Sequence, residues 1–254
     1  MHITNRTICF LVFFIIFLAN SSFTLSTYKL PDGSVYTGNI VNGLFNGTGT
    51  LVWSNGGKYE GEFKNGVIEG KGKLTAKTSK YEGMFKNGLF EGKGEIKYVN
   101  GDRYFGDFKE GYIHGRGTLI FHNGNDYIGD FENGIKKGNG NYHFKNGSSY
   151  TGQFDADFYS GKGVYTYTNG DKYIGEFKDG FFEGKGEMWL NTGKIFRGLF
   201  KEGKFLGDKN GNNFYFDDLH LILVIISIIS IAVNIFLAIR MRSRKVKAQV
   251  TGAK

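Results

Sequence analysis

Few residues in this 254-residue chain have types and spacing suited to chemistry, and each group fails a specific requirement. His114, His122 and His143 fall at different positions of a repeated pattern, so they do not converge as metal ligands or as a proton relay. Asp157 replaces a glycine of that pattern within Asp155-Ala156-Asp157, a short acidic turn with fewer oxygen ligands than calcium requires. Gly-x-Gly pairs such as Gly70-Lys71-Gly72 would cradle phosphate at a strand-to-helix turn, but here each opens a strand. There is no nucleophile motif, no paired catalytic carboxylates and no His/Cys cluster with metal spacing. The expectation is a protein that is not an enzyme, with no catalytic residue, cofactor or metal.

The elements that carry these residues are more informative. An aromatic followed two residues later by glycine returns every 22 or 23 residues, at Tyr36, Tyr59, Tyr81, Tyr104, Tyr127, Tyr150, Tyr173 and Phe196. After that first glycine, further glycines follow at five, nine and eleven residues, which accounts for most of the 40 glycines without any collagen-like triplet. A fixed period of this size is the sign of a modular array. In residues 58–79, Tyr59, Gly61 and Phe63 alternate with Glu60, Glu62 and Lys64, as a strand with one apolar face does. Asn65-Gly66 then supplies a tight turn, and Gly70-Lys71-Gly72 opens the returning strand, on which Leu74 and Ala76 continue the apolar face. Each unit reads as a β-hairpin. Glycine inside a strand weakens it, so its recurrence beside aromatics predicts rings from neighbouring strands lying over bare backbone.

The phrase Tyr-x-Gly-x-Phe-x-x-Gly-x-x-x-Gly-x-Gly, clearest at Tyr59–Gly72, Tyr104–Gly117 and Tyr173–Gly186, resembles the MORN repeat. The resemblance implies an all-β fold: hairpins added end to end into one long, twisted, single-layer antiparallel sheet, followed here by one C-terminal transmembrane helix. About sixteen strands at ~4.8 Å would span roughly 75 Å. Residues 36–210 are read as eight tandem repeats, the last degenerate, after an opening half-repeat at 22–35. The second repeat lacks the usual Asn-Gly between Thr75 and Lys80, so its loop should differ.

The ends carry a different signal. Residues 8–19 are apolar, follow Arg6 and precede Asn20-Ser21-Ser22, which suits a signal peptide at 1–21, or a short anchor left uncleaved. Residues 219–239 form a second apolar run, long enough for a transmembrane helix, after a linker at 211–218. Six basic residues (Arg240, Arg242, Arg244, Lys245, Lys247, Lys254) then make 240–254 a basic tail placed in the cytosol by the positive-inside bias. Taking these and Arg6 from the 32 Lys and Arg leaves 25 against 24 Asp and Glu, so the net charge of +8 belongs to the ends and implies no nucleic acid. This topology makes the chain a single-pass protein of the secretory pathway or cell surface, with lumenal or extracellular repeats. Asn46 and Asn146 head sequons on that side, both read as turns. The only cysteine, Cys9, lies in the leader, so the repeats carry no disulfide.

Two functions are compatible with these readings. One is a membrane-anchored scaffold whose aromatic sheet face binds a protein or peptide, as MORN proteins that hold a partner helix in the concave groove do. The candidate face is Tyr59, Phe63, Tyr81, Phe85, Tyr104, Phe108, Tyr127, Phe131, Tyr150, Phe154, Tyr173 and Phe177. The other is a membrane tether that meets lipid headgroups, similar to junctophilins, which needs cytosolic repeats. Some MORN proteins carry a lipid-kinase or methyltransferase domain, for which this chain has no length left. Oligomeric state is not legible.

Overall fold

The computed structural model of the protein describes residues 26–208, and these are all strand and turn. The expectations for 1–21, 211–218, 219–239 and 240–254 lie outside the described residues.

Seventeen strands make one antiparallel sheet in sequential order, each bonded to the strand before and after it. A short β1 (Ser26–Lys29) pairs with β2 (Val35–Val41), and β3 (Leu44–Val52), β4 (Lys58–Lys64), β5 (Val67–Thr75), β6 (Ser79–Lys86) and β7 (Leu89–Tyr98) follow. Next come β8 (Arg103–Lys109), β9 (Tyr112–Ile120), β10 (Asp126–Glu132), β11 (Ile135–His143) and β12 (Ser149–Asp155). The sheet closes with β13 (Phe158–Thr166), β14 (Lys172–Lys178), β15 (Phe181–Trp189), β16 (Ile195–Lys201) and β17 (Lys204–Gly207). Its sixteen strand intervals amount to about 77 Å at ~4.8 Å each. The loop of the second repeat is indeed shorter, three residues between β5 and β6, closed by the Ala76 N–H donating to the Ser79 carbonyl at 2.8 Å.

Two kinds of turn alternate along the sheet. Inside each hairpin the turn is a pair of left-handed residues, as in Asn65 (φ 50°) and Gly66 (φ 82°). This is the geometry that two-residue hairpins require, and asparagine and glycine adopt it most readily. Within each complete hairpin the register also slips by two residues: Gly61 faces Gly72, whereas Phe63 faces Ile68. The slack is taken up by a bulge at Gly70, itself at φ 76°. Between hairpins the register runs without a slip, as in Gly70↔Phe85 and Gly72↔Gly83. Each hairpin therefore bends at one point and its junction with the next does not.

The bend explains how a single layer encloses a core. All eight anchors and the phenylalanines four residues after Tyr59 through Phe196 are buried. So are the returning-strand residues Leu51, Leu74, Ile96, Leu119, Tyr142, Tyr165 and Met188.

Candidate functional site

Each anchor tyrosine lies flat on the glycines of its own hairpin. A methyl group built on Gly61 would collide with the Tyr59 hydroxyl, and one on Gly72 with the Tyr59 ring. Over Gly72 the ring comes from the neighbouring strand, as expected, whereas over Gly61 it comes from the same strand, two residues earlier. The reason is local: the Tyr59 hydroxyl donates to the Glu62 carbonyl at 3.0 Å, which folds the side chain along its own backbone. The same bond recurs from Tyr36, Tyr81, Tyr104, Tyr127, Tyr150 and Tyr173, each to the carbonyl three residues on. Loss of water raises the pKa of these hydroxyls above the usual tyrosine value.

Above the tyrosines runs a second column, nine residues after each anchor: Phe45, Ile68, Phe90, Ile113, Lys136, Tyr159, Phe182 and Phe205. Four of its rings stack on the tyrosine beneath at 3.8 Å between centroids: Phe45, Phe90, Tyr159 and Phe182. On either side, each tyrosine from Tyr59 to Tyr173 meets two phenylalanines edge-on, one from its own strand and one from the next repeat, whereas Tyr36 meets only Phe63 in this way. Tyr59 stands 5.1 Å from both Phe63 and Phe85, and Tyr150 stands 5.2 Å from Phe154 and 4.9 Å from Phe177. Edge-to-face pairs at these separations are favourable beyond their buried area, and here they form an unbroken ladder.

The twelve candidate face residues are therefore brought together, but inside. Tyr59, Tyr104, Tyr127, Tyr150 and Tyr173 have no exposed surface, and the other seven keep 2–4%. A ring so enclosed offers a partner no area in this structure. The column that covers the tyrosines was not recognised in the sequence, although its period is identical to theirs. Partly accessible apolar side chains lie along one rim, where Trp53, Tyr98, Phe121, Tyr167 and Leu190 recur near the ends of the returning strands, while the exposed aromatics Phe105 and Trp189 lie on the outer face of the sheet. The five rim residues are half-buried and pack against the core.

That rim is stapled. Four of the residues two before an anchor, Ser34, Asp102, Asn125 and Asp171, accept the backbone N–H of the turn one repeat later. Asp102 accepts from His122 at 2.8 Å, Asn125 from Lys145 at 2.9 Å and Asp171 from Asn191 at 2.7 Å. His122 also places Nδ1 3.0 Å from the Asp102 carboxylate, and His143 lies 2.8 Å from Asp126. The three histidines stay apart, as their repeat positions imply, with His114 receiving the Asn133 N–H at 3.5 Å.

The opposite edge has its own staples, and one is reversed. Glu69, Glu91 and Glu183 each accept the N–H of the first turn residue in the following repeat, at 2.8–3.1 Å. At the junction of the fifth and sixth repeats the acceptor sits in the later repeat: Asp157 Oδ1 receives the Lys136 N–H at 2.9 Å. Asp157 also lies 3.4 Å from Lys136 Nζ, and both side chains are nine-tenths buried. The ammonium is surrounded by Tyr127, Tyr142 and Phe121 at 5.7–5.9 Å from their ring centres. Burial pushes the Lys136 pKa below the usual lysine value, against the raising effect of Asp157. Among the described residues, no three His, Cys, Asp or Glu side chains gather as a metal site.

Of the two sequons, Asn146 lies exposed in a turn, with its Oδ1 accepting from the Ser148 N–H and hydroxyl. Asn46 is not in a turn. It belongs to β3, opposite Asn39, and its amide donates to Asn65 at 3.4 Å. The turn falls four residues earlier at Asn42-Gly43, which carries the same Asn-Gly signature, while Gly47 forms the bulge.

No curated protein matches this chain in sequence. Among solved structures, it is similar to the TCP domain of SAS-4 (dCPAP) from Drosophila melanogaster, solved with a proline-rich motif of Ana2 (dSTIL). The likeness is 14% identity over 70% of this chain and 91% of that one, with a TM-score of 0.38. The G-box domain of the microcephaly protein CPAP gives 11% identity over 70% and 99%, with a TM-score of 0.38. The TCP10 domain of Danio rerio CPAP, solved with a STIL peptide, gives 12% identity over 76% and 98%, with a TM-score of 0.25. The MORN repeat family matches seven units, at 36–58, 59–78, 81–103, 104–126, 127–149, 150–172 and 173–195. The eighth unit, begun by Phe196, falls outside those matches, yet β16 and β17 extend the same sheet. By its matched units and by the tyrosine-on-glycine hairpin that every one of them builds, the chain belongs to the MORN repeat family.

Proposed function

We propose that the protein is a non-catalytic, membrane-anchored scaffold whose repeats stand on the lumenal or extracellular side and hold a protein or peptide partner. The observation that carries the binding half is the rim of Trp53, Tyr98, Phe121, Tyr167 and Leu190. It offers half-buried apolar side chains on a base of buried rings, interrupted at the equivalent positions Ala76 and Phe144. Aromatic side chains on a rigid base are the usual anchors of an interface. The twelve buried rings form the base beneath the rim, and the apolar side of a partner segment lies along it. The apolar runs at 8–19 and 219–239, with the basic cluster after the second, support the topology.

The experiment has two arms on the tagged full-length chain. Protease protection with a glycosidase shift reads the topology: protected, glycosylated repeats are expected, whereas accessible, unglycosylated repeats favour a cytosolic tether that meets lipid. Cross-linking in cells then compares the wild type with Trp53→Ser/Tyr98→Ser/Phe121→Ser. A partner held by the wild type and lost by the variant is expected, and one held equally by both excludes the rim.

A further inference from the structure

The repeats before and after Lys136 are nearly interchangeable, and that creates a problem of register. In the other hairpins the covering residue is apolar, and the second left-handed turn position of the following repeat is a glycine: Gly66, Gly88, Gly111, Gly134, Gly180 or Gly203. Phe90 bonds Gly111 through its carbonyl and Ile113 bonds Gly134 in the same way. Either would accept Gly180 of the seventh repeat equally well. Looping out one whole repeat adds little entropy cost, because closure grows only slowly with length. A chain of identical junctions can therefore close one repeat out of step.

We propose that Lys136 and Asp157 form a register lock, which lets the fifth hairpin accept only the sixth as its neighbour. If the seventh repeat took that place, Lys136 would face Gly180, and a buried ammonium would lose its carboxylate. If Asp157 packed behind any other hairpin, its carboxylate would meet Ile113, Phe90 or another apolar residue. Both mismatches leave an uncompensated charge in the core, the costliest kind of error in such an array. The lock is a matched pair of departures, one in each repeat, and neither has a use without the other. The left-handed Asp157 (φ 74°) points the same way, since a residue with a Cβ holds this conformation only at a cost that glycine avoids.

The test uses the full chain in detergent micelles, with Cys9→Ser and two reporters, Asn141→Cys and Thr151→Cys. These two face each other across β11 and β12. After refolding from urea at low protein concentration in air-equilibrated buffer without added thiol, free thiols are counted with a polyethylene-glycol maleimide. Native register at this junction joins the two cysteines, whereas a whole-repeat offset between the fifth hairpin and its neighbour leaves both free. With Lys136 and Asp157 present, nearly all thiols should be joined. Lys136→Phe/Asp157→Gly, which restores the pattern of the other repeats, should raise the free fraction several-fold while keeping the β-sheet circular dichroism. Lys136→Ile/Asp157→Gly, copied from Ile68–Gly88 and Ile113–Gly134, is the second variant and should do the same. An unchanged free-thiol fraction overturns the proposal. So does failure of both variants to fold, which would make the pair a stability element with no part in register.

Discussion

The junction between the third and fourth repeats and that between the fifth and sixth use the same backbone for opposite ends. At the first, Phe90 stacks on Tyr81 at 3.8 Å, its carbonyl receives the Gly111 N–H and Glu91 caps the turn. At the second, Lys136 stands where Phe90 did, Asp157 stands where Gly111 did, and the cap runs backwards from the later repeat. The apolar junction is general, because any ring or branched side chain fits it and any glycine follows it. The charged junction is specific, because each half is costly without the other. Array proteins gain stability from like neighbours and identity from unlike ones.

The sharpest way to break the comparison is Asp157→Gly. The glycine that serves every other junction should here cost about 3–5 kcal/mol, because Lys136 is left buried without its carboxylate. A lower urea midpoint in the full chain checks it, and an unchanged midpoint would show that water reaches the ammonium. A smaller effect comes from Tyr104→Phe and Tyr127→Phe, at about 1 kcal/mol each for one lost hydrogen bond. The two should agree, since both hydroxyls are satisfied within their own strand at 2.9–3.0 Å. A larger loss at Tyr127 would mean that the Lys136 cage depends on that hydroxyl. The smallest difference is in pH dependence. The folded pKa of Lys136 is lowered, so the unfolded chain binds more protons in the window just below the ordinary lysine value of about 10.4, and stability rises with pH there. The anchor tyrosines are shifted upward, so above about pH 10 the unfolded chain ionises first and stability falls. Wild type should show the rise before the fall, and Lys136→Ile/Asp157→Gly only the fall, by urea midpoints from pH 8 to 11.

Much of the fold is legible because strand alternation, Asn-Gly turns and a 23-residue period each leave a local mark. The antiparallel hairpins and the buried faces of Tyr59, Phe63 and Leu74 follow directly. Enclosure of the candidate face does not, because a single sheet implies one open side. Only the bulge at Gly70 and its equivalents, together with the column of Ile68 and Phe90, closes it. Asn46 misleads for a related reason: Asn42-Gly43 and Asn46-Gly47 look alike, and only pairing decides which one turns. Asp157 stands out in the sequence as a lost glycine. Its partner Lys136 becomes visible once the ninth residues after each anchor are placed in one column.

Strict sequential order has a mechanical consequence. With β1 at one end of the sheet and β17 at the other, tension between the chain ends pulls across the strands and along the hydrogen bonds. Such a load peels one strand at a time and never shears a whole ladder at once. The array should yield at low force in small, even, reversible steps, each releasing one hairpin. Each anchor tyrosine hydroxyl bonds a carbonyl of its own strand, so a peeled hairpin keeps those bonds, and what breaks is the backbone ladder to its neighbour with the staples between repeats.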